Sequence, residues 1–333
     1  MKIMRMAAIK LALPLILLSG SALADCGPVS IAGMSWQNGD IAAELDKFIL
    51  TEGFGCDADI ISGDTITAFT SMIERGEPSI VPEAWENVAP KLIQDGIGEG
   101  RVVELGPILL DGGLNGWFMP RYIQEAHPDI RTVADVLAHP ELFPSPEDPS
   151  KGGFYGAPSG WGAATITSQL FKAFGFQEKG FELIDPGSSA GLDSALLRAY
   201  ENRKGWLGYY YSPTGLLAKV DMVKVDFGVP ENKEEWSRCT SVADCPDPKP
   251  NAWPVEKVST MVSKKFADAA DPAVIGYLKA RSWSNDTLNA VMAWTTDNQG
   301  TGKDGALHFL QTRPDLWKTW VSPEVAQRID AAL

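Results

Sequence analysis

The sequence predicts an α/β protein of two lobes with a ligand cleft between them. Short runs suited to buried strands alternate with amphipathic helical stretches from the first strand onward. The alternation breaks at the glycine-rich run 112–115 and then starts again. At 333 residues the chain is also long enough to divide into two cores.

In the first series, residues 29–34 read as a strand and 40–50 as a helix, with Ile41, Leu45, Phe48 and Ile49 at helical spacing. Residues 57–61 precede a helix opening near Asp64, whose Ile66, Phe69 and Ile73 share one face, and 79–82 precede a helix near Asn87. The extended run Trp117-Phe118-Met119-Pro120 opens the second series. There Thr132 fits a helix N-cap with Asp135 three residues on. Strands are expected at 154–157, 181–184 and 206–211, with helices at 163–174 and 192–202. Residues 222–227 are a further strand candidate, 230–254 a proline-rich loop, and the remainder is patterned as helices that would cover the first lobe. The expected division is 25–115 with 216–333 as lobe 1 and 116–215 as lobe 2, with hinges near 112–116 and 212–222.

The first residues carry Lys2, Arg5 and Lys10, then a short apolar run from Leu11 to Leu18, then small residues around Ala22 and Ala24. That is the pattern of a signal peptide spanning 1–24, cleaved after Ala24 to leave a soluble periplasmic chain starting at Asp25. The run is too short to span a bilayer. A lipid anchor on Cys26 is the competing reading, and Asp25 stands where such a site needs a small residue. Loss of the three cations would move the net charge from −14 to −17. Such a chain is a poor partner for nucleic acid, which is bound through Lys and Arg, and it suits a cationic ligand. Cys26, Cys56, Cys239 and Cys245 form an even set behind an export signal, so two disulfides are expected. Nearest-neighbour pairing is one of three connectivities. No metal motif is present, because the cysteines lack CxxC spacing and His127, His139 and His308 stand apart from them. No cofactor motif is present either.

The chemistry rests on aromatic residues. Of 11 tryptophans, Trp36, Trp85, Trp117 and Trp161 fall at strand ends or in loops, as does Tyr211. Loops after the carboxyl ends of strands are where α/β folds grip ligands. Rings from several loops can enclose a methylated ammonium or sulfonium group, which donates no hydrogen bonds but is attracted to ring faces. Four such rings supply about 2–8 kcal/mol, whereas micromolar binding needs about 8. The remainder is expected from Ser159-Gly160-Trp161-Gly162, where a helix start would offer backbone N–H groups to an anion. Glu83, Asp40 and Asn115 lie beside the aromatics and would bias ligand choice, although Glu83 and Asp40 read most simply as a solvated acid and a helix-start residue. Trp206, Trp283, Trp294, Trp317 and Trp320 read as core.

The segments MSWQNGD, PEAWEN, NGWFMPRY, HPDIRTVADV, APSGWG and YYYSP resemble the periplasmic binding proteins for glycine betaine, proline betaine and choline that feed ABC transporters. The resemblance implies a monomeric two-lobe binder without enzymatic activity that delivers its ligand to an inner-membrane permease. It also implies an aromatic cation box with backbone amides for the carboxylate, matched here by Trp36, Trp85, Trp117, Trp161, Gly162 and Tyr211. Where that family often has WTP, this chain has Tyr211-Ser212-Pro213. A mixed Trp/Tyr box would leave dimethylsulfoniopropionate, trimethylamine oxide and choline as competing ligands.

A different class enters through Gly187-Ser188-Ser189-Ala190-Gly191, which matches a GxSxG nucleophile elbow. A hydrolase would use Ser189 with His308, the one histidine downstream of it. Pro186 before the turn and the apolar surroundings of His308 weigh against that reading.

Overall fold

The computed structural model describes residues 26–217 and 219–333. The expected leader and its cleavage site lie outside those residues. Among the described residues the ten strands are β1 (Pro28–Gly33), β2 (Asp57–Ser62), β3 (Ile80–Trp85), β4 (Val102–Pro107), β5 (Leu114–Pro120), β6 (Gly152–Tyr155), β7 (Phe181–Ile184), β8 (Gly208–Ser212), β9 (Met222–Lys224) and β10 (Val258–Ser263). They form two five-stranded sheets, ordered β2-β1-β3-β10-β4 and β7-β6-β8-β5-β9, one per lobe. Among the described residues no helix is long and apolar enough to cross a membrane.

In the first sheet β1 runs parallel to β2 and β3, while β10 inserts antiparallel between β3 and β4. All six residues of β3 and all six of β10 are buried, as strands covered on both faces must be. Neither β4 nor β10 was expected from the sequence. The segment VSTMVS of β10 is a short β-branched run inside a region that otherwise has helical periodicity. Pro82 cannot donate to a ladder, and the sheet accommodates it with a bulge: Thr260 of β10 stands opposite both Pro82 and Glu83. Glu83 and Trp85, two residues apart, then lie on one side of β3.

The second sheet pairs β6 parallel with β7 and β8, and β5 antiparallel with β8 and β9. Strand β9 belongs to this sheet, and Thr132 bridges Asp226 beyond it. The second lobe therefore continues past residue 215, where the sequence reading had ended it. Between the sheets, the segment that leads from β4 to β5 pairs with the segment that leads to β10 through an antiparallel bridge of Gly113 and Glu256. The loop 230–254 lies across both lobes: Trp236 Nε1 donates to the Asn87 carbonyl at 2.9 Å, and Gln169 Nε2 donates to the Val242 carbonyl at 2.8 Å.

Helices Pro272–Ala280, Asn285–Asp297, Gly302–Thr312 and Pro323–Ala332 occupy the regions expected to be helical. Gly302–Thr312 packs on helix Gln37–Phe48, as first-lobe cover requires. Thr132 caps its helix with a full capping box to Asp135. Cys26 bonds Cys56 and Cys239 bonds Cys245, the nearest-neighbour pairing. Trp206, Trp283, Trp317 and Trp320 are buried, and Trp294 is partly buried with its ring stacked on His308.

Candidate ligand-binding site

Where the lobes face each other, Trp36, Thr65, Trp85, Val88, Asn115, Trp161, Gly162, Ala163, Tyr209 and Tyr211 line one small pocket. Trp36 sits just beyond β1 as the N-cap of helix Gln37–Phe48, and Trp85 ends β3. Trp161 is the N-cap residue of helix Gly162–Ala173. Tyr209 and Tyr211 share a face of β8 by strand alternation, and Tyr211 pairs with Asn115 of β5. Every indole and phenol in this set is buried.

The rings meet at steep angles across the cleft. Trp36 and Trp161 have centroids 5.4 Å apart at 78°, Trp161 and Tyr211 5.5 Å apart at 82°, and Trp85 and Tyr211 5.8 Å apart at 90°. In each pair the edge of one ring meets the face of the other, and all of these rings line the same pocket. The first turn of helix Gly162–Ala173 has backbone N–H groups without intrahelical acceptors, and Gly162 and Ala163 bring them to the pocket wall. A Cβ on Gly162 would come within 2.4 Å of the Val88 carbonyl in the facing lobe, so glycine here permits the lobes to close. Gly113 has a similar part, since a Cβ there would lie 2.3 Å from the Trp85 ring.

Behind the rings are two buried carboxylates. Glu83 Oε1 accepts from Trp36 Nε1 at 2.8 Å, Trp85 Nε1 at 2.7 Å and Asn38 Nδ2 at 2.8 Å. Glu256 Oε1 accepts from Asn115 Nδ2 and Trp253 Nε1, both at 3.0 Å, and its Oε2 accepts from the Asn87 backbone N–H at 3.0 Å. Asn115 in turn accepts from the Tyr209 hydroxyl at 2.7 Å. Glu83 is thus not a solvated acid, and Asn115 is a link between a box phenol and Glu256. Asp40 does not start its helix, which opens three residues earlier at Gln37; it lies in the first turn and accepts from the Gly302 backbone N–H at 3.1 Å.

Burial pushes both Glu83 and Glu256 up to about 7, against the opposing pull of their hydrogen-bond donors. Between the ordinary glutamate value of 4.5 and about 7, the folded protein holds protons that the unfolded chain has released. The two groups therefore favour the folded state most at the acid end of that window, and the contribution is lost as pH rises through 7. The melting temperature of the ligand-free protein is expected to fall from about pH 5.5 to about pH 8. A Glu83→Gln, Glu256→Gln variant should show a flatter profile in a thermal-shift series.

Trp117 does not join this site. It is fully buried among Phe154, Phe174, Phe176 and Phe227, with ring centroids 4.8–5.8 Å away. It stands two residues past Asn115 on β5, deeper in the second lobe. The residues not foreseen at the pocket are Thr65, Val88, Ala163 and Tyr209, with Trp253 and Glu256 behind it. Tyr209 was legible, because GYYYS alternates and its first and third tyrosines must share a face. Ser189 begins helix Ser189–Glu201, following Ser188, which caps that helix through Gly191. Its proposed base His308 instead stacks on Trp294 with centroids 3.9 Å apart, on a first-lobe helix.

Two α/β lobes meeting at an aromatic pocket have the architecture of a solute-binding protein. Residues 27–312 match the family model described as OpuAC, the substrate binding domain of the ABC-type glycine betaine transport system, and the chain belongs to that family. Solved structures share the fold at low identity. A glycine betaine/L-proline-binding protein (ProX) from Borrelia burgdorferi matches with a TM-score of 0.71 and 18% identity, covering 91% of this chain and 100% of that one. An ABC-transporter choline binding protein in complex with choline matches with 0.71 and 18%, covering 92% and 98%. Lactococcal OpuAC, closed around glycine betaine, matches with 0.67 and 17%, covering 89% and 100%. No curated protein sequence matches the chain.

Proposed function

We propose that this protein captures a small methylated onium compound bearing an anionic end, with glycine betaine as the simplest case, and presents it to an ABC permease. The observation that carries this reading is the convergence of Trp36 and Trp85 from one lobe with Trp161, Tyr209 and Tyr211 from the other on a single pocket. The cation would sit among those ring faces, where its methyl groups ask for no hydrogen bonds. Its carboxylate would take the N–H groups of Gly162 and Ala163 at the helix start. That polarity favours zwitterions, including dimethylsulfoniopropionate, over choline, which has no anion to place there.

Capture works by lobe closure, with no covalent step. Trp161 Nε1 donates across the cleft to Ser35 Oγ at 2.8 Å, and Ser35 Oγ donates to Asp64 Oδ2 at 2.9 Å. The first contact joins the lobes only when they are together, and the second anchors Ser35 within the first lobe, so ligand and latch favour the same closed state. Ser35→Ala is expected to weaken ligand binding about fivefold, the worth of roughly one hydrogen bond, with little change in melting temperature. Calorimetry alongside a thermal melt checks both halves of that expectation.

The protein would work as a periplasmic monomer after removal of residues 1–24. Its two disulfides suit an oxidising compartment. The test of the function is calorimetric titration of residues 25–333 with glycine betaine, dimethylsulfoniopropionate, trimethylamine oxide, choline and a simple amino acid. Micromolar or tighter binding confined to the methylated compounds supports the reading and ranks the ligands. Binding to none of them removes it.

A further inference from the structure

Of the two buried carboxylates behind the pocket, Glu83 is tied to the box itself. One of its oxygens receives the N–H groups of both first-lobe indoles, Trp36 and Trp85, together with the Asn38 amide. The residue is 1% exposed, and its other oxygen has no hydrogen-bond partner among the described residues. An indole that donates its N–H to an anion becomes richer in electron density across the ring, and the ring face then attracts a cation more strongly. The cation and the carboxylate also attract one another directly through a low-dielectric medium.

We propose that Glu83 is a positioning and specificity residue of the box, whose negative charge, relayed through Trp36 and Trp85, makes the pocket select a true cation over an uncharged group of the same shape. This rests on the binding function proposed above. The charge is only partly offset, because Arg281 draws the Glu83 carboxyl down while being committed to another acid. Arg281, the cation on the far side, is ion-paired to Asp46 at 2.8 Å, with Tyr277 donating to the same aspartate oxygen at 2.6 Å. On the pocket side Glu83 faces Tyr211, whose phenol burial holds well above its ordinary value and therefore neutral. Because burial places the Glu83 carboxyl near neutrality, the selectivity must depend on pH. An ionised Glu83 favours the cation and a bound cation favours ionisation, so preference for cations rises with pH.

The experiment compares glycine betaine with 3,3-dimethylbutanoate, in which a carbon replaces the charged nitrogen while the shape and the carboxylate are kept. Dissociation constants for both are measured by calorimetry at about pH 6 and about pH 8, for the wild type and Glu83→Gln. Glutamine keeps an acceptor for the indoles and removes the charge. The expected result is a wild-type preference for betaine that is about tenfold larger at the higher pH, and a preference in Glu83→Gln that is low and independent of pH. If betaine binds with the same preference at both pH values and in both proteins, the role of Glu83 is overturned while the binding function stands. If the wild type binds no methylated onium compound, both are overturned. Should Glu83→Gln fail to fold, the wild-type pH series is read beside Glu256→Gln, which removes the other carboxyl that burial raises to about 7: a pH-dependent preference that persists there supports Glu83, and one that vanishes overturns its role.

Discussion

Trp161→Ala is expected to reduce affinity for the preferred onium ligand by at least about a hundredfold, which is the loss of roughly 2.8 kcal/mol or more of ring attraction, packing and the cross-lobe hydrogen bond. The residue has three parts in the site. Its ring stands 5.4 Å from Trp36 and 5.5 Å from Tyr211, so its removal opens two walls of the box. Its indole N–H carries the cross-lobe bond to Ser35. Its position as N-cap residue would, on the proposed binding mode, set the helix start against the anionic end of the ligand. The variant should remain folded, because the ring packs against pocket residues at the lobe junction rather than inside either core. Calorimetry and a melting curve on the same preparation measure both. Affinity within about threefold of wild type would remove Trp161 from the site.

Trp117→Ala should do the reverse. Its ring fills the centre of a phenylalanine cluster in the second lobe, and truncation there costs about 3–5 kcal/mol of stability through lost burial and the cavity left behind. Chemical denaturation should show a large fall in the midpoint. In whatever fraction remains folded, ligand affinity should stay within a few fold of wild type, since Trp117 lines no part of the pocket. A large loss of affinity with stability unchanged would return Trp117 to the ligand.

These opposite expectations attach to two residues that the sequence presents alike. Both are tryptophans beside a glycine, in motifs shared with the resembling family, and both fall near the start of an element. What separates them is depth. Trp161 precedes the first turn of a helix and lines the cleft pocket, whereas Trp117 is the fourth residue of β5, buried inside a cluster of phenylalanines. Glu83 shows the same limit from the other side. A carboxylate in PEAWEN reads as solvent-facing, and only the bulge opposite Thr260, with cover from β10, puts it under the indoles. Glu256 lies in sequence some 170 residues away from its partner Asn87, in a region that read as loop and helix.

The sequence by itself determined the α/β alternation, the restart of the pattern near residue 112, the cysteine set, and the placing of Trp36, Trp85, Trp161 and Tyr211 at element ends. These follow from local periodicity and turn chemistry, which are written within a few residues. Only the tertiary structure decided that β10 divides β3 from β4, that β9 belongs to the second lobe, that Tyr209 joins the box, and that two buried carboxylates hold its rings. Each of those depends on contacts between segments far apart in the chain, and no local pattern specifies which strand a buried run will pair with or which side chain will be covered.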